Sequence, residues 1–127
     1  MPTDDQYARL LTFRTRLREF DRWSRDAAAA QGLTHAQHQL LLVVRGCGEP
    51  TGPTIGQLAA YLLVRHHTAG ELADRVTELG LTERVRDRAD HRIVRLRLTR
   101  KGQEVIEDLS AVHLAELRRL APVLGDL

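Results

Sequence analysis

The sequence lacks the features that mark secreted, membrane-spanning and disulfide-rich proteins. Its 127 residues include one cysteine, Cys47, so no internal disulfide can form, and a lone thiol suits a reducing compartment. No apolar run approaches the roughly 20 residues that a membrane-spanning helix needs. The first residues, MPTDDQYARL, lack the basic and then apolar pattern of a secretory leader. We therefore expect a small cytoplasmic protein with a single domain, residues 1–127.

Catalytic and metal-binding motifs are also absent. The sequence contains no GxSxG, Walker loop or HExxH motif, so we do not expect an enzyme. Two histidine pairs, His66 with His67 and His35 with His38, are candidate metal ligands because imidazole binds transition metals. Neither pair has a cysteine or a clear carboxylate partner nearby in the sequence, whereas zinc sites need several such ligands. We therefore expect no metal and no cofactor.

The net charge of +2 says little about partners, but the charge is unevenly distributed. Residues 83–101 contain eight arginines and lysines and three acidic residues, a local charge of +5. Basic charge that is gathered in one segment is expected of a surface that binds phosphates. A solvated surface hairpin would have the same composition, and charge alone does not separate the two interpretations.

Apolar periodicity predicts a long first helix and a shorter second one. The first helix covers residues 4–30, and its apolar stripe consists of Leu10, Phe13, Leu17 and Phe20. Thr34 and Gln37 then match a capping box, in which each side chain satisfies a free backbone N–H group of the other residue. The helix that begins there should end near Gly46, before a loop that is rich in glycine and proline.

Two further capping patterns begin short helices between residues 54 and 80. Thr54 and Gln57 form one pattern, and Thr68 and Glu71 form the other, although the second helix could begin slightly earlier, around His66. This second helix is expected to bury an apolar stripe and to end at Gly80. The stripe consists of Leu72, Val76 and Leu79. Two short helices joined by a tight turn predict a helix-turn-helix.

A hairpin is predicted directly after these helices. Residues 82–84 and 93–98 have strand-like composition, and Val94, Leu96 and Leu98 alternate with neighbours that include Arg95 and Arg97. The polar segment RDRADH, residues 86–91, would form the tip. A hairpin that follows a helix-turn-helix predicts a winged helix, whose wing arginines would contact phosphates without reading base sequence.

The chain is predicted to be helical again from Thr99 to about residue 124, with Pro122 interrupting near the end. Its apolar stripes consist of Val105, Ile106, Leu109 and Val112, and then Leu117, Leu120 and Leu124. The long first and last helices carry more apolar surface than a small core can cover. Mutual burial across a two-fold axis would cover it, so we expect a homodimer.

The order of these elements and the segment DRVTELGLTERVRDRADHRIVRLRLTRKG resemble the MarR family of winged-helix transcriptional regulators. The family pattern, D-R-L-x-x-x-G-L-[VI]-x-R followed by D-x-R and L-T-x-x-G, is matched by Asp74, Arg75, Val76, Gly80, Leu81, Arg84, Asp90, Arg92, Leu98, Thr99 and Gly102. The resemblance implies a mainly α (α+β) fold. It also implies a winged helix-turn-helix over about residues 34–102 and dimerisation helices over about 4–30 and 99–124.

The resemblance further implies a DNA-binding repressor that acts as a homodimer on a pseudo-palindromic operator, with no membrane association. Many members release DNA when a small aromatic or lipophilic ligand fills a pocket between the dimerisation and DNA-binding parts. In the family the aspartate braces the wing through the arginine, and the arginine also approaches DNA, so Asp90 and Arg92 would have a mixed role. The expected dimerisation residues are Leu10, Phe13, Leu17, Phe20, Leu109, Val112, Leu117 and Leu120.

The recognition helix departs from the family, which usually has S-T-V-[ST]-R where this chain has His67-Thr68-Ala69-Gly70-Glu71. Glu71 either completes the capping box with Thr68 or accepts a hydrogen bond from a cytosine amino group. The candidate DNA contacts are Arg65, His66, His67, Thr68, Glu71, Arg75, Arg84, Arg86, Arg88, Asp90, Arg92 and Arg95. Because the helix is acidic, an alternative is a winged-helix module that binds a protein partner instead of DNA.

Overall fold

The computed structural model describes the backbone of residues 1–124 and the side chains of residues 1–122. Residues 1–124 form five helices and two strands, in the order α1 Asp4–Ala30, α2 His35–Gly46, α3 Ile55–Leu62, α4 His66–Glu78, β1 Thr82–Arg86, β2 Val94–Leu98 and α5 Arg100–Leu124. The two strands pair in antiparallel fashion. This mainly helical architecture with a small sheet confirms the predicted fold class.

Two of the three predicted capping boxes are present. Thr34 Oγ1 accepts from the N–H of Gln37 at 3.1 Å, and Gln37 Oε1 accepts from the N–H of Thr34 at 3.0 Å. Thr54 and Gln57 make the same pair of bonds at 3.1 and 2.8 Å. These motifs fix the first residues of α2 and α3, because they satisfy donors that a helix leaves free.

The third predicted capping box is wrong. Helix α4 begins at His66, and its N-cap residue is Arg65, whose side chain makes no capping hydrogen bond in the described chain. Thr68 therefore lies inside the first turn, where its own backbone is helical and cannot serve as a cap. The cap pairing of Glu71 with Thr68 is thereby excluded, while Gly80 ends the helical segment with a positive φ of 77°, as predicted.

The core lies between α2, α3, α4, α5 and the inner face of the sheet. Its fully buried side chains include Leu40, Leu41, Leu58, Val76 and Leu96. Helix α4 places Ala69, Ala73 and Val76 inward, while Leu72 is only partly buried. Leu79, which was predicted to be buried, is exposed and lies at the C-cap, directly after the last helical residue of α4.

The hairpin is anchored to the rest of the chain at its base. Its register pairs Thr82 with Leu98 and Arg86 with Val94, so β1 is two residues longer than predicted and β2 begins one residue later. The N–H of Leu96 donates to the carbonyl of Pro53 at 2.9 Å, and Thr54 forms an isolated bridge with Arg95. The segment before α3 thus lies beside β2 and is hydrogen-bonded to it, which fixes the wing relative to the helix-turn-helix.

Helices α1 and α5 pack against each other and carry the predicted dimerisation residues. Leu10, Val112 and Leu117 are exposed in the single chain, and Phe13, Leu17 and Phe20 are partly buried. Leu109 and Leu120 differ from the prediction, because both are already buried within one chain and Leu109 belongs to its core.

Helix α5 continues past Pro122 to Leu124, so the predicted interruption is wrong. The side chain of Leu124 lies outside the described residues. No helix in residues 1–124 is long and apolar enough to cross a membrane.

Candidate nucleic-acid interface

The outward face of α4 carries three acidic residues, each paired with a basic side chain. This face lies opposite the buried alanines because α-helical residues repeat every 3.6 positions. His67 Nε2 lies 2.9 Å from Glu71 Oε1, and Arg75 donates to Glu78 at 3.2 Å. Asp74 forms an ion pair with Arg84 of β1. The two arginines offset the charges of Glu78 and Asp74, and the pair of Arg84 with Asp74 joins the recognition helix to the wing.

Asp87 organises the tip of the wing. Its Oδ2 accepts from the N–H groups of Ala89 and Asp90 at 3.0 and 2.9 Å, and its Oδ1 accepts from Arg95 Nε at 2.9 Å. The hydrogen bond from Arg95, followed by the backbone N–H groups, holds the pKa of the Asp87 carboxyl below its usual value. Asp87 was absent from the predicted set, although an aspartate two to three residues before such a turn is the signal of an Asx turn.

Arg95 is placed differently from the prediction that it contacts DNA. Its side chain is 17% exposed, and besides Asp87 it donates to the carbonyl of Gly52 at 3.0 Å. Its donors are thus turned toward the loop before α3. We therefore assign Arg95 to bracing the wing, and the prediction of a direct contact is corrected.

Asp90 and Arg92 form a bidentate pair on the outer side of the hairpin. Arg92 Nε and Nη2 each lie 3.0 Å from a carboxylate oxygen of Asp90, and the N–H of Arg92 donates to the same group. The side-chain bond lowers the pKa of Asp90 and raises that of Arg92. Because the Arg92 side chain is 92% exposed, it stays accessible while Asp90 holds its orientation. This is the arrangement that the family resemblance implied.

The other wing arginines divide into braced and free groups. Arg86 donates to the carbonyl of His91 at 2.9 Å, which closes the tip. Arg88 is exposed and has no ion-pair partner among residues 1–124. Arg65 and Thr68, at the start of α4, are also exposed. The exposed cations thus lie at the wing tip and at the beginning of the recognition helix.

An open groove of about 480 Å³ separates the recognition helix from the wing. Its basic border is formed by His66, Arg84 and Arg92, and the beginning of α3 closes the other side. The structure therefore brings three of the predicted contacts together. The first residues of α3, Ile55 and Gly56, line the groove as well and were missed, because nothing in their side chains indicates a binding role.

A second cavity, of about 400 Å³, lies between α1, α2 and α5. Its lining is mostly apolar but includes His35, His38 and His113. His113 Nδ1 donates to the Leu109 carbonyl at 2.7 Å, so its Nε2 accepts from Ser24 Oγ at 2.7 Å when the ring is neutral. Burial, together with the charges of His113 and His35, lowers the pKa of His38 to about 4. His35 Nδ1 is buried and has no partner in the described residues.

These histidines do not amount to a metal centre. Within residues 1–124 no three side chains of histidine, cysteine, aspartate or glutamate are arranged to hold a metal ion. His66 and His67 likewise lie on the exposed start of α4, where His67 pairs with Glu71. The cavity can instead accept an aromatic group between its apolar walls, and imidazole, hydroxyl and carboxyl groups, the last from Asp21, are available for hydrogen bonds.

Two short helices that meet at a tight turn, followed by an anchored hairpin, define a winged helix-turn-helix protein. Residues 31–93 match the family model described as MarR family. Residues 31–93, which contain most of the winged helix-turn-helix, belong to the MarR family, as the resemblance of the wing and the following helix implied.

Individual relatives agree with this placement. The uncharacterized HTH-type transcriptional regulator YsmB of Bacillus subtilis is 38% identical over 65 residues, which cover 51% of this chain and 44% of that relative. A MarR family protein from Bacillus stearothermophilus has 26% identity and a TM-score of 0.78, over 100% of this chain and 85% of the other. A mutant of S. aureus MepR bound to oligodeoxyribonucleotide has 21% identity and a TM-score of 0.73, over 95% and 83% of the two chains.

Proposed function

We propose that this protein is a transcriptional regulator that binds double-stranded DNA through α4 and the wing. The observation that carries the proposal is the groove bordered by His66, Arg84 and Arg92, beside a wing whose orientation is fixed by internal hydrogen bonds. Exposed cations on a rigid hairpin can bind phosphates without a large loss of conformational entropy. The fold is also similar to that of a MepR mutant that is bound to oligodeoxyribonucleotide, which supports DNA as the ligand.

The working form in this proposal is a homodimer. Leu10, Leu114 and Leu117 on the two long helices are exposed apolar side chains that a second copy would cover. A two-fold dimer would present two recognition helices to successive major grooves of a pseudo-palindromic operator. Helices α1 and α5 then serve as the dimerisation region, and about residues 34–102 serve as the DNA-binding part.

Repression that is relieved by a small ligand completes the proposal. The cavity between α1, α2 and α5 touches both the dimerisation helices and the helix that precedes the helix-turn-helix. A ligand that favoured a different packing of these helices would change the spacing of the two recognition helices and lower DNA affinity. Such a regulator would act in the cytoplasm and would need no catalytic group.

The outward acidic residues of α4 favour a second candidate, a winged-helix module that binds a protein partner. The two functions differ in their dependence on salt. Phosphate contacts release counterions, so DNA affinity should fall steeply as the salt concentration rises. A protein partner that is held mainly by apolar contacts would be much less affected.

Selection of bound sequences from random DNA, followed by measurements of affinity against salt, tests the proposal. Arg88→Ala and Arg92→Ala should each weaken binding to all sequences and lower the salt slope by about one unit, because each removes one phosphate contact. Arg14→Ala, which removes an exposed arginine of α1, is the matched control and should leave the slope unchanged. Failure to enrich any sequence, together with binding that salt does not affect, would favour the protein-interaction module.

A further inference from the structure

We infer that Glu71 selects a cytosine at one position in each half-site of the bound DNA, by accepting a hydrogen bond from the cytosine 4-amino group. The inference rests on the proposed function, since it assigns a base to one side chain of the same surface. Sequence alone left two roles open for Glu71, and the structure removes the capping role because α4 begins at His66.

Glu71 lies where a recognition helix can reach base edges. It occupies the second turn of α4, near the N-terminal end that helix-turn-helix proteins insert into the major groove. Its side chain is 67% exposed, and it projects away from the face that buries Ala69, Ala73 and Val76. An exposed carboxylate at the centre of a DNA-binding face would repel phosphates, so its presence needs a compensating contact.

The other two acids of this face already have such a contact within the protein. Asp74 is paired with the guanidinium of Arg84, and Glu78 with that of Arg75. Glu71 is held only by the imidazole of His67, which contacts Oε1 at 2.9 Å. Its second oxygen, Oε2, has no hydrogen-bond partner in the described part of the chain and is available to a ligand.

The chemistry of the groove then limits which base can use Oε2. An ionised carboxylate only accepts hydrogen bonds. In the major groove, guanine and thymine present acceptors, which repel it, and adenine presents its N6 donor beside the N7 acceptor. Cytosine presents the N4 donor without a neighbouring ring acceptor. A C·G pair is therefore the best partner for Glu71, while His67 keeps the carboxylate in place.

Sequence selection with wild type, Glu71→Gln, Glu71→Ala and Glu78→Gln tests the inference. Wild-type sites should contain one cytosine per half-site that is preferred over thymine by about tenfold, the usual cost of a single mismatched pair. Glu71→Gln should move the preference at that position to adenine, because glutamine pairs with adenine N6 and N7. Glu71→Ala should abolish the preference, and Glu78→Gln, two turns further along the same face, should preserve it.

The outcomes separate the inference from the proposed function. If wild type enriches a defined site and both Glu71 variants enrich the same site, the assignment of Glu71 is overturned while DNA binding stands. If wild type enriches no site, the proposed function fails, and the inference fails with it. Because Glu71 is exposed, its variants should retain the wild-type thermal midpoint, which circular dichroism would verify on the same samples.

Discussion

Acidification should destabilise this protein through His38 well before its carboxylates titrate. His38 is 2% exposed, and its ring centroid lies 4.6 Å from that of His113. Burial first, and then the charges of His113 and His35, lower its pKa from 6.5 to about 4. The unfolded chain therefore takes up a proton near pH 6.5, whereas the folded chain does so only near pH 4. Protonation between these values favours unfolding, so stability falls as the pH is lowered.

The size of the effect follows from the shift. About 1.4 kcal/mol per pKa unit gives a total loss of about 3 kcal/mol once the pH is below both values. About 2 kcal/mol of that loss should already be present at pH 5, since the unfolded histidine is then almost fully charged. The carboxyl groups of Asp87, Asp90 and Glu116 have lowered pKa values, so their contributions are lost only as the pH falls below about 5, and His38 should dominate the range from pH 7.5 to 5.

Urea denaturation at fixed protein concentration, repeated at several values between pH 7.5 and pH 5, measures this loss. His38→Gln should remove most of the pH dependence, because glutamine fills the site without titrating. His91→Gln, which changes an exposed histidine of the wing, should retain the wild-type dependence. The reasoning would be refuted by a wild-type free energy of unfolding that stays constant over this range, or by an equal decrease in His38→Gln.

Two further predictions concern the anchoring of the wing. Gly102→Ala should lower the free energy of unfolding by about 2 kcal/mol, because the new methyl group would overlap the backbone carbonyl of Leu81. Gly56→Ala, whose methyl group would meet only open space and a threonine oxygen at 3.8 Å, should be neutral or stabilising in the same urea experiment. Arg95→Ala should speed hydrogen exchange of the wing amides that Asp87 holds, because that carboxylate loses its guanidinium partner. Arg97→Ala, which removes an exposed pair with Glu83, should leave those amides protected, and equal effects of the two variants would contradict the role of Arg95.

Features that depend on neighbours in the sequence were predicted well. The capping boxes of Thr34 and Thr54 link residues three apart. The alternation of apolar and charged residues along β2 sets which face of the strand is apolar. Gly80, whose φ is positive, likewise ends its helical segment, and this effect does not depend on what the helix packs against. These patterns sufficed to predict a winged helix because each is satisfied by local backbone geometry.

The candidate site was predicted only in part, because its chemistry depends on which side chains meet. Thr68 and Glu71 have the same spacing as the true caps, yet α4 begins at His66, the earlier start that the sequence also allowed. The residues that border the groove, His66 and Arg92, were identified from the start of the recognition helix and from the wing pattern of the family. Charge did not reveal which arginines are free, since that depends on the positions of the carboxylates around them.

The sequence by itself thus determined the order of the elements, most of their ends and the family of the winged helix-turn-helix. Tertiary structure decided the partners of the polar groups: Arg95 binds the carbonyl of Gly52, 43 residues earlier, and His113 lies beside His38. It also decided that Leu109 is a core residue of one chain. The physical reason is the range of the interactions, because backbone bonds and caps link residues a few positions apart, whereas burial and ion pairing depend on segments that only folding brings together.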